Sequence, residues 1–168
     1  WAEESRMKTD EILLTLPVRT VDLVLGKFLA ALLLLALLML LTVPVPLTLM
    51  PLGEFATGQI WGQYIGSFLL AGLGIAVGLC ISALSNNQIS AFLFSVVILL
   101  VFTLMWQFTM FLTLPAAAAD LLKYMSLQSH FQSFAKGVID TRDVVFYLVW
   151  TALFLYFNMK ILILRKWR

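Results

Sequence analysis

The sequence predicts an all-α integral membrane protein with four transmembrane helices. Hydrophobic residues make up 62% of the 168 residues, and the mean hydropathy is +1.00, both typical of membrane proteins. The stretch Phe55–Ala119 contains no Asp, Glu, Lys, Arg or His. One helix of that length would extend about 95 Å, whereas the hydrocarbon core of a bilayer is about 30 Å thick. The stretch therefore predicts two spans.

A helical hairpin is the arrangement that this uncharged stretch favours. Its polar cluster, Ser85-Asn86-Asn87-Gln88, lies near the middle and suits a turn between the two helices. We place the two spans at 60–84 and 89–114.

Two further spans flank the hairpin. The first is predicted at 23–50, because the sequence carries no charge from Phe28 to Gly53 and three prolines mark its far end. The last is predicted at 144–164, where Asp140 and Asp143 suit the N-terminal turn of a helix. Residues 115–142 are too polar to span and predict two short helices that dip into the outer leaflet.

Residues 1–22 predict a surface segment with one short amphipathic helix. Thr9 suits its N-cap, and Asp10 and Glu11 suit its first turn. Pro17 ends the helix, because a proline disfavours helical backbone in the residue before it. The apolar face consists of Ile12, Leu13 and Leu16.

The basic residues predict the orientation in the membrane. Most of them flank the first and last spans, and only three lie between. Cytoplasmic segments carry the excess of Lys and Arg, so both ends of this chain are expected in the cytoplasm. The residues at the two ends are Arg6, Lys8, Arg19 and Lys27, and Lys160, Arg165, Lys166 and Arg168.

Small residues recur in the second span on a four-residue register. Small residues at this spacing allow another helix to approach closely. We favour packing within the chain, with a subunit interface or a pathway lining as the alternatives. The members are Gly58, Gly62, Gly66, Gly74, Gly78 and Ser82.

The sequence lacks the residues that several membrane activities require. The predicted spans contain no carboxylate or histidine, so neither ion coupling nor intramembrane proteolysis is expected. His130, the sole histidine, has no neighbouring carboxylate or cysteine cluster in sequence and suits an interfacial polar role. We predict no catalytic, metal or cofactor-binding residue, and a net charge of +2 gives no reason to expect a nucleic-acid partner.

Several motifs resemble, in order, a known family. These are Glu3-Glu4-x-Arg6, Thr9-x-Glu11-x-Leu13-Leu14-Thr15-x-Pro17-Val18, Val24-Leu25-Gly26-Lys27-Phe28-Leu29, Ile81-Ser82-Ala83-Leu84-Ser85-x-Asn87-Gln88, Ser129-His130-Phe131-x-x-Phe134-x-x-Gly137-Val138-Ile139-Asp140-x-Arg142-Asp143-Val144, and Arg165-Lys166-Trp167-Arg168. Together they resemble ABC transporter permeases of the type-2 exporter class, in the gliding-motility-type branch. The chain departs from the family pattern at Lys8, where glycine is usual, and at Asn86, where a basic residue is usual. Two spans that precede the coupling stretch in the family are absent, which suggests a fragment of a six-helix permease.

The resemblance implies a function without catalytic activity in this chain. ATP would be hydrolysed by a separate ABC ATP-binding subunit, and a second permease copy or homologue would complete the assembly within membrane lipid. The expected location is the bacterial inner membrane. The resemblance assigns the ATPase contact to a coupling helix that includes Thr9, Asp10, Glu11, Leu13, Leu14 and Pro17. The alternative is a non-transporting membrane anchor or force-transmitting subunit of a gliding or cell-envelope machine.

Overall fold

The computed structural model describes residues 1–9, 17–52, 56–111 and 115–166. Every regular element within those ranges is helical. The predicted coupling residues Asp10, Glu11, Leu13 and Leu14 lie outside the described ranges. The elements are α1 (Ala2–Arg6), α2 (Thr20–Thr42), α3 (Pro44–Leu49), a 3-10 turn (Met50–Leu52), α4 (Thr57–Leu84), α5 (Gln88–Phe111), α6 (Ala116–Met125), α7 (Leu127–Ala135) and α8 (Thr141–Lys166).

Among the described residues, four helical stretches are long and apolar enough to cross a membrane, which confirms the predicted fold class. They are Thr20–Leu49, Thr57–Leu84, Gln88–Phe108 and Thr141–Arg165. The first stretch contains both α2 and α3. Pro44 and Pro46 have no amide hydrogen to continue the helical ladder, and α2 ends at Thr42, whose hydroxyl donates to the carbonyl of Met39.

The turn between α4 and α5 contains side-chain hydrogen bonds of its own. The Ser85 hydroxyl donates to the carbonyl of Asn87 at 2.9 Å. The Asn87 side-chain oxygen accepts from the amide of Ile89 at 3.0 Å, so it satisfies one of the free amides at the start of α5. Of the polar cluster that predicted a turn, Ser85, Asn86 and Asn87 thus lie between the two helices, and Gln88 begins α5.

The chain divides into two compact units. The first comprises Trp1–Leu33, Gly72–Leu99 and Val149–Arg168. Its apolar core contains Ala76 and Ala83, whose small side chains are fully buried. Small side chains let neighbouring helices pack closely in a membrane protein. The remaining core residues are Trp1, Val24, Leu155 and Leu162.

The second unit comprises Leu34–Ala71 and Leu100–Leu148. Here the end of α7 packs directly on α4. A Cβ atom at Gly62 would lie 2.5 Å from the carbonyl oxygen of Phe134, and one at Gly66 would lie 2.7 Å from the Phe134 Cβ. Gly137, just after α7, has φ of +79° and would place a Cβ 2.8 Å from the carbonyl carbon of Gly58. The contact requires glycine on both sides.

Candidate functional site

The N-terminal segment, residues 1–9, is attached to α4 through Ser82. The backbone nitrogens of Trp1 and Ala2 donate to the Ser82 hydroxyl oxygen at 3.0 and 2.9 Å. Trp1 and Ala2 are both buried in the first unit. Sequence reasoning placed Ser82 in the small-residue register and in a family motif but missed this contact, since the partners are 80 and 81 positions apart in sequence.

Three polar side chains link α1 to two other parts of the first unit, and we call them the polar junction: Ser5, Asn86 and Arg165. The Ser5 hydroxyl donates to the Asn86 side-chain oxygen at 3.1 Å. Arg165, near the end of α8, donates to that same oxygen at 3.0 Å and to the Ser5 hydroxyl at 3.3 Å. The start of the chain, the α4–α5 turn and the end of α8 therefore meet at one place.

Lys27 fastens the N-terminal segment to α2. Its ammonium group pairs with the Glu4 carboxylate and lies 3.7 Å from the centre of the Trp1 ring. A cation over an indole face is attracted by the ring electrons. The segment thus contacts α2, α4, the α4–α5 turn and α8.

Lys8 adopts a backbone conformation that favours glycine. Its φ is +56°, which lies in the left-handed region. This is the position at which the resembled family usually has glycine. Thr9, the next residue, donates its hydroxyl to the carbonyl of Glu4 at 3.2 Å. The left-handed residue therefore lies immediately before Thr9, the predicted N-cap of the coupling helix.

The residues of the small-residue register have different surroundings. Gly62 and Gly66 face α7 in the second unit, as described above. In the first unit, a Cβ at Gly74 would meet the Leu99 side chain at 3.6 Å, an ordinary contact, and one at Gly78 would meet nothing within 4 Å. Gly78 and Ser82 line a groove of about 330 Å³ between α4 and α5.

His130 has a carboxylate partner, which corrects the expectation that it stands alone. Its Nδ1 lies 2.7 Å from the Asp143 carboxylate, and both side chains are buried. The two residues are close because α7 packs beside the start of α8. Tyr147, one turn beyond Asp143, donates its hydroxyl to the carbonyl of Leu127 at 2.9 Å and holds the same two helices together.

The residues that the structure describes show no group of three or more His, Cys, Asp or Glu side chains that could hold a metal ion. Cys80 is a buried free thiol. The N-terminal segment of the first unit and the surroundings of His130 in the second each contain a set of hydrogen-bonded polar side chains.

The helices and their apolar lengths define a multi-pass, all-helical membrane protein. The family model described as ABC-2 family transporter protein matches residues 2–164, and the chain belongs to this family. It is therefore a membrane component of an ABC transporter. The searches of curated proteins and of solved structures gave no significant match.

Proposed function

We propose that this chain is the permease subunit of an ATP-driven exporter and receives the motion of a separate ATPase subunit through its N-terminal segment. The family membership supports a transporter role. Within the uncharged stretches 28–53 and 55–119 there is no ionisable group of the kind that ion coupling requires. The fourth stretch, Thr141–Arg165, does contain a buried carboxylate, which corrects the expectation of spans without one: Asp143 lies in its first turn and is paired with His130. Because that carboxylate lies at the end of its stretch, we take ATP hydrolysis in a partner subunit as the energy source.

The polar junction is the observation that carries this proposal. A displacement of α1 acts directly on the α4–α5 turn and on the end of α8, because Ser5, Asn86 and Arg165 share hydrogen bonds. The Lys27 contacts add α2 to the same linkage. The N-terminal segment therefore contacts α2, α4 and α8 directly and reaches α5 through the α4–α5 turn. A force applied to this segment is transmitted to all four spanning stretches.

The proposed orientation places the polar junction in the cytoplasm of a bacterial cell, at the inner membrane. The junction joins both ends of the described chain, and basic residues are concentrated there. Residues 115–142 then lie at the outer side. The motif around His130 and Gly137 favours the gliding-motility-type branch of the family, and a second permease copy or a homologue completes the assembly.

The ATPase contact is tested by a change on the predicted coupling helix. Changing Leu13 and Leu14 together to Asp removes apolar area that the helix offers to a partner groove. We expect normal membrane insertion and loss of ATPase copurification, whereas the Leu13→Met, Leu14→Met variant retains it. Glu11→Lys should weaken association through like-charge repulsion, and Glu11→Gln should weaken it less. Full ATPase binding by the double Asp variant would exclude the coupling-helix assignment.

The orientation is tested by labelling from outside the cell. Single cysteines at Lys123 and Arg168, each in a Cys80→Ala background, are treated with a membrane-impermeant thiol reagent. We expect labelling at position 123 only, until the membrane is permeabilised. Labelling at 168 without labelling at 123 would reverse the proposed orientation.

A further inference from the structure

An apolar groove lies between the ends of α4 and α8 in the first unit. It encloses about 510 Å³, and it is lined by Ala83 and Leu84 of α4 and by Ile161, Leu164 and Arg165 of α8. The residues of α8 are spaced i, i+3 and i+4, so they share one face of that helix. The groove is thus apolar along its length, with a single cation among its lining residues.

The exposure of the lining residues shows that the groove opens outward. Ala83 is fully buried and forms the floor, where its methyl side chain leaves space above it. Leu84 and Leu164 are 62% and 69% exposed and form the two rims. Because the rims are exposed, a molecule that surrounds the helices can enter the groove.

The groove lies at the depth where two spanning stretches end. Leu84 is the last residue of the stretch Thr57–Leu84, and Arg165 is the last residue of Thr141–Arg165. From Ile161 to Arg165 the helix rises about 6 Å. The apolar lining therefore falls at the edge of the hydrocarbon core, and the guanidinium falls at the level of the lipid headgroups.

Arg165 brings a positive charge to the end of the groove. Its bonds to Ser5 and Asn86 hold the guanidinium in place, and both acceptors are uncharged. A guanidinium has five N–H donors, and its planar fork matches the oxygens of a phosphate group. The sequence adds two more basic residues within the next three positions, Lys166 and Arg168. This end of the groove therefore favours an anionic group.

An occupant of the groove has to be apolar along most of its length and anionic at one end. A phospholipid with an acidic headgroup meets both conditions, and basic pockets between transmembrane helices bind such headgroups. A helix of a second copy would instead press apolar side chains on the guanidinium, and burying a cation without a counter-charge is unfavourable. The carboxylates of α1 are already engaged, since Glu3 pairs with Arg6 and Glu4 pairs with Lys27. Charge complementarity therefore favours a lipid.

We propose that the groove between the ends of α4 and α8 binds an anionic phospholipid. The phosphate bonds to Arg165, and the first part of an acyl chain lies along Leu84, Ile161 and Leu164. The lipid then contacts the guanidinium that belongs to the polar junction, so it stabilises the junction from the membrane side. The lipid site itself depends on neither transport nor ATPase contact.

Native mass spectrometry of the full chain in detergent measures the site directly. Dioleoylphosphatidylglycerol is titrated onto the protein, and zwitterionic dioleoylphosphatidylcholine is the comparison. Arg165→Gln removes the charge but keeps a side-chain donor for the polar junction, and it should weaken binding of the first phosphatidylglycerol by about tenfold. Lys160→Gln removes a cation of α8 that lies over the Tyr156 ring and does not line the groove, so it should leave binding unchanged. Equal loss in the two variants, or equal wild-type affinity for the two lipids, would overturn the proposal.

A second pair of variants tests the apolar wall while the polar junction stays intact. Leu164→Asn places an amide on the rim, whereas Ile163→Asn places it one residue away, at the same depth but outside the lining. We expect weaker phosphatidylglycerol binding for Leu164→Asn only, and equal loss in both variants would contradict the assignment. Glycerol 1-phosphate, which has no acyl chain, should not displace the lipid.

Two results would assign the groove to another occupant. Displacement of the lipid by glycerol 1-phosphate would indicate a simple anion site. Loss of the bound lipid when the chain forms dimers would assign the groove to a second copy. Retention of the first phosphatidylglycerol by both monomers and dimers is the result that the lipid site predicts.

Discussion

Tyr147 on α8 donates its hydroxyl hydrogen to the backbone carbonyl of Leu127 on α7, 2.9 Å away, and both residues are buried. The pair joins the two helices that also carry Asp143 and His130. Because the phenol is the partner of a buried carbonyl, its loss leaves that carbonyl without this hydrogen bond. The relationship gives a direct test of how α7 is held.

Tyr147→Phe should lower the unfolding midpoint of the purified protein. Removing one partner of a buried hydrogen bond costs about 1–3 kcal/mol. Tyr156→Phe is the matched control, since Tyr156 is 50% exposed on the same helix. The unfolding midpoints of the two variants and of wild type are compared by thermal unfolding in the same detergent. Equal shifts in the two variants, or none for Tyr147→Phe, would contradict the structural role of the Leu127 bond.

Gly66→Ala should destabilise the protein, whereas Gly78→Ala should not. The new Cβ at Gly66 would lie 2.7 Å from Phe134, and that at Gly78 would meet nothing within 4 Å. Overpacking costs about 1–3 kcal/mol, and the higher helix propensity of alanine returns at most about 1 kcal/mol. The same thermal assay ranks them. A Gly66→Ala variant as stable as Gly78→Ala would mean that α7 does not pack closely on α4.

Lys8→Gly should stabilise the N-terminal segment. The left-handed conformation at Lys8 costs a residue with a Cβ on the order of 1 kcal/mol, and glycine avoids this cost. Hydrogen exchange of the amides in residues 2–9 should therefore slow. Lys8→Ala removes the charge but keeps the unfavourable conformation, so it serves as the control. Slower exchange in Lys8→Ala than in Lys8→Gly would contradict this explanation.

Asn158→Leu should raise the unfolding temperature. Asn158 is fully buried on α8, and neither polar atom of its side chain has a partner among the described residues. An apolar side chain of similar size removes a desolvation cost of about 1–3 kcal/mol. Asn158→Ala separates lost polarity from lost volume and should unfold earlier than Asn158→Leu. A midpoint for Asn158→Leu below that of wild type would show that the amide stabilises the fold.

The sequence predicts the spanning helices well because their signal is local. The uncharged stretch from Phe55 to Ala119 requires two crossings, and Ser85 to Gln88 provides the polar turn. Contacts between helices leave no such local signal. His130 and Asp143 meet because α7 packs beside α8, and no periodicity in either helix specifies that pairing.

The same limit applies to the N-terminal segment. Its contacts with Ser82 and Asn86 join residues about 80 positions apart, so they depend on how α4 packs beside α1. Lys8 is different, since the family resemblance already marked it as a position where glycine is usual. With its φ of +56°, Lys8 adopts a left-handed conformation that a glycine would adopt at lower cost.

We propose that ATPase motion enters this chain through the polar junction, and the Asn86→Ala variant provides the test. The variant removes the oxygen that accepts from both Ser5 and Arg165. Phosphate release by the copurified ATPase is measured with wild type, Asn86→Ala and the control Asn87→Ala, which alters the turn but not the junction. We predict that Asn86→Ala binds the ATPase normally but loses permease-dependent stimulation of ATP turnover, while Asn87→Ala retains it. Full stimulation by Asn86→Ala would contradict the account.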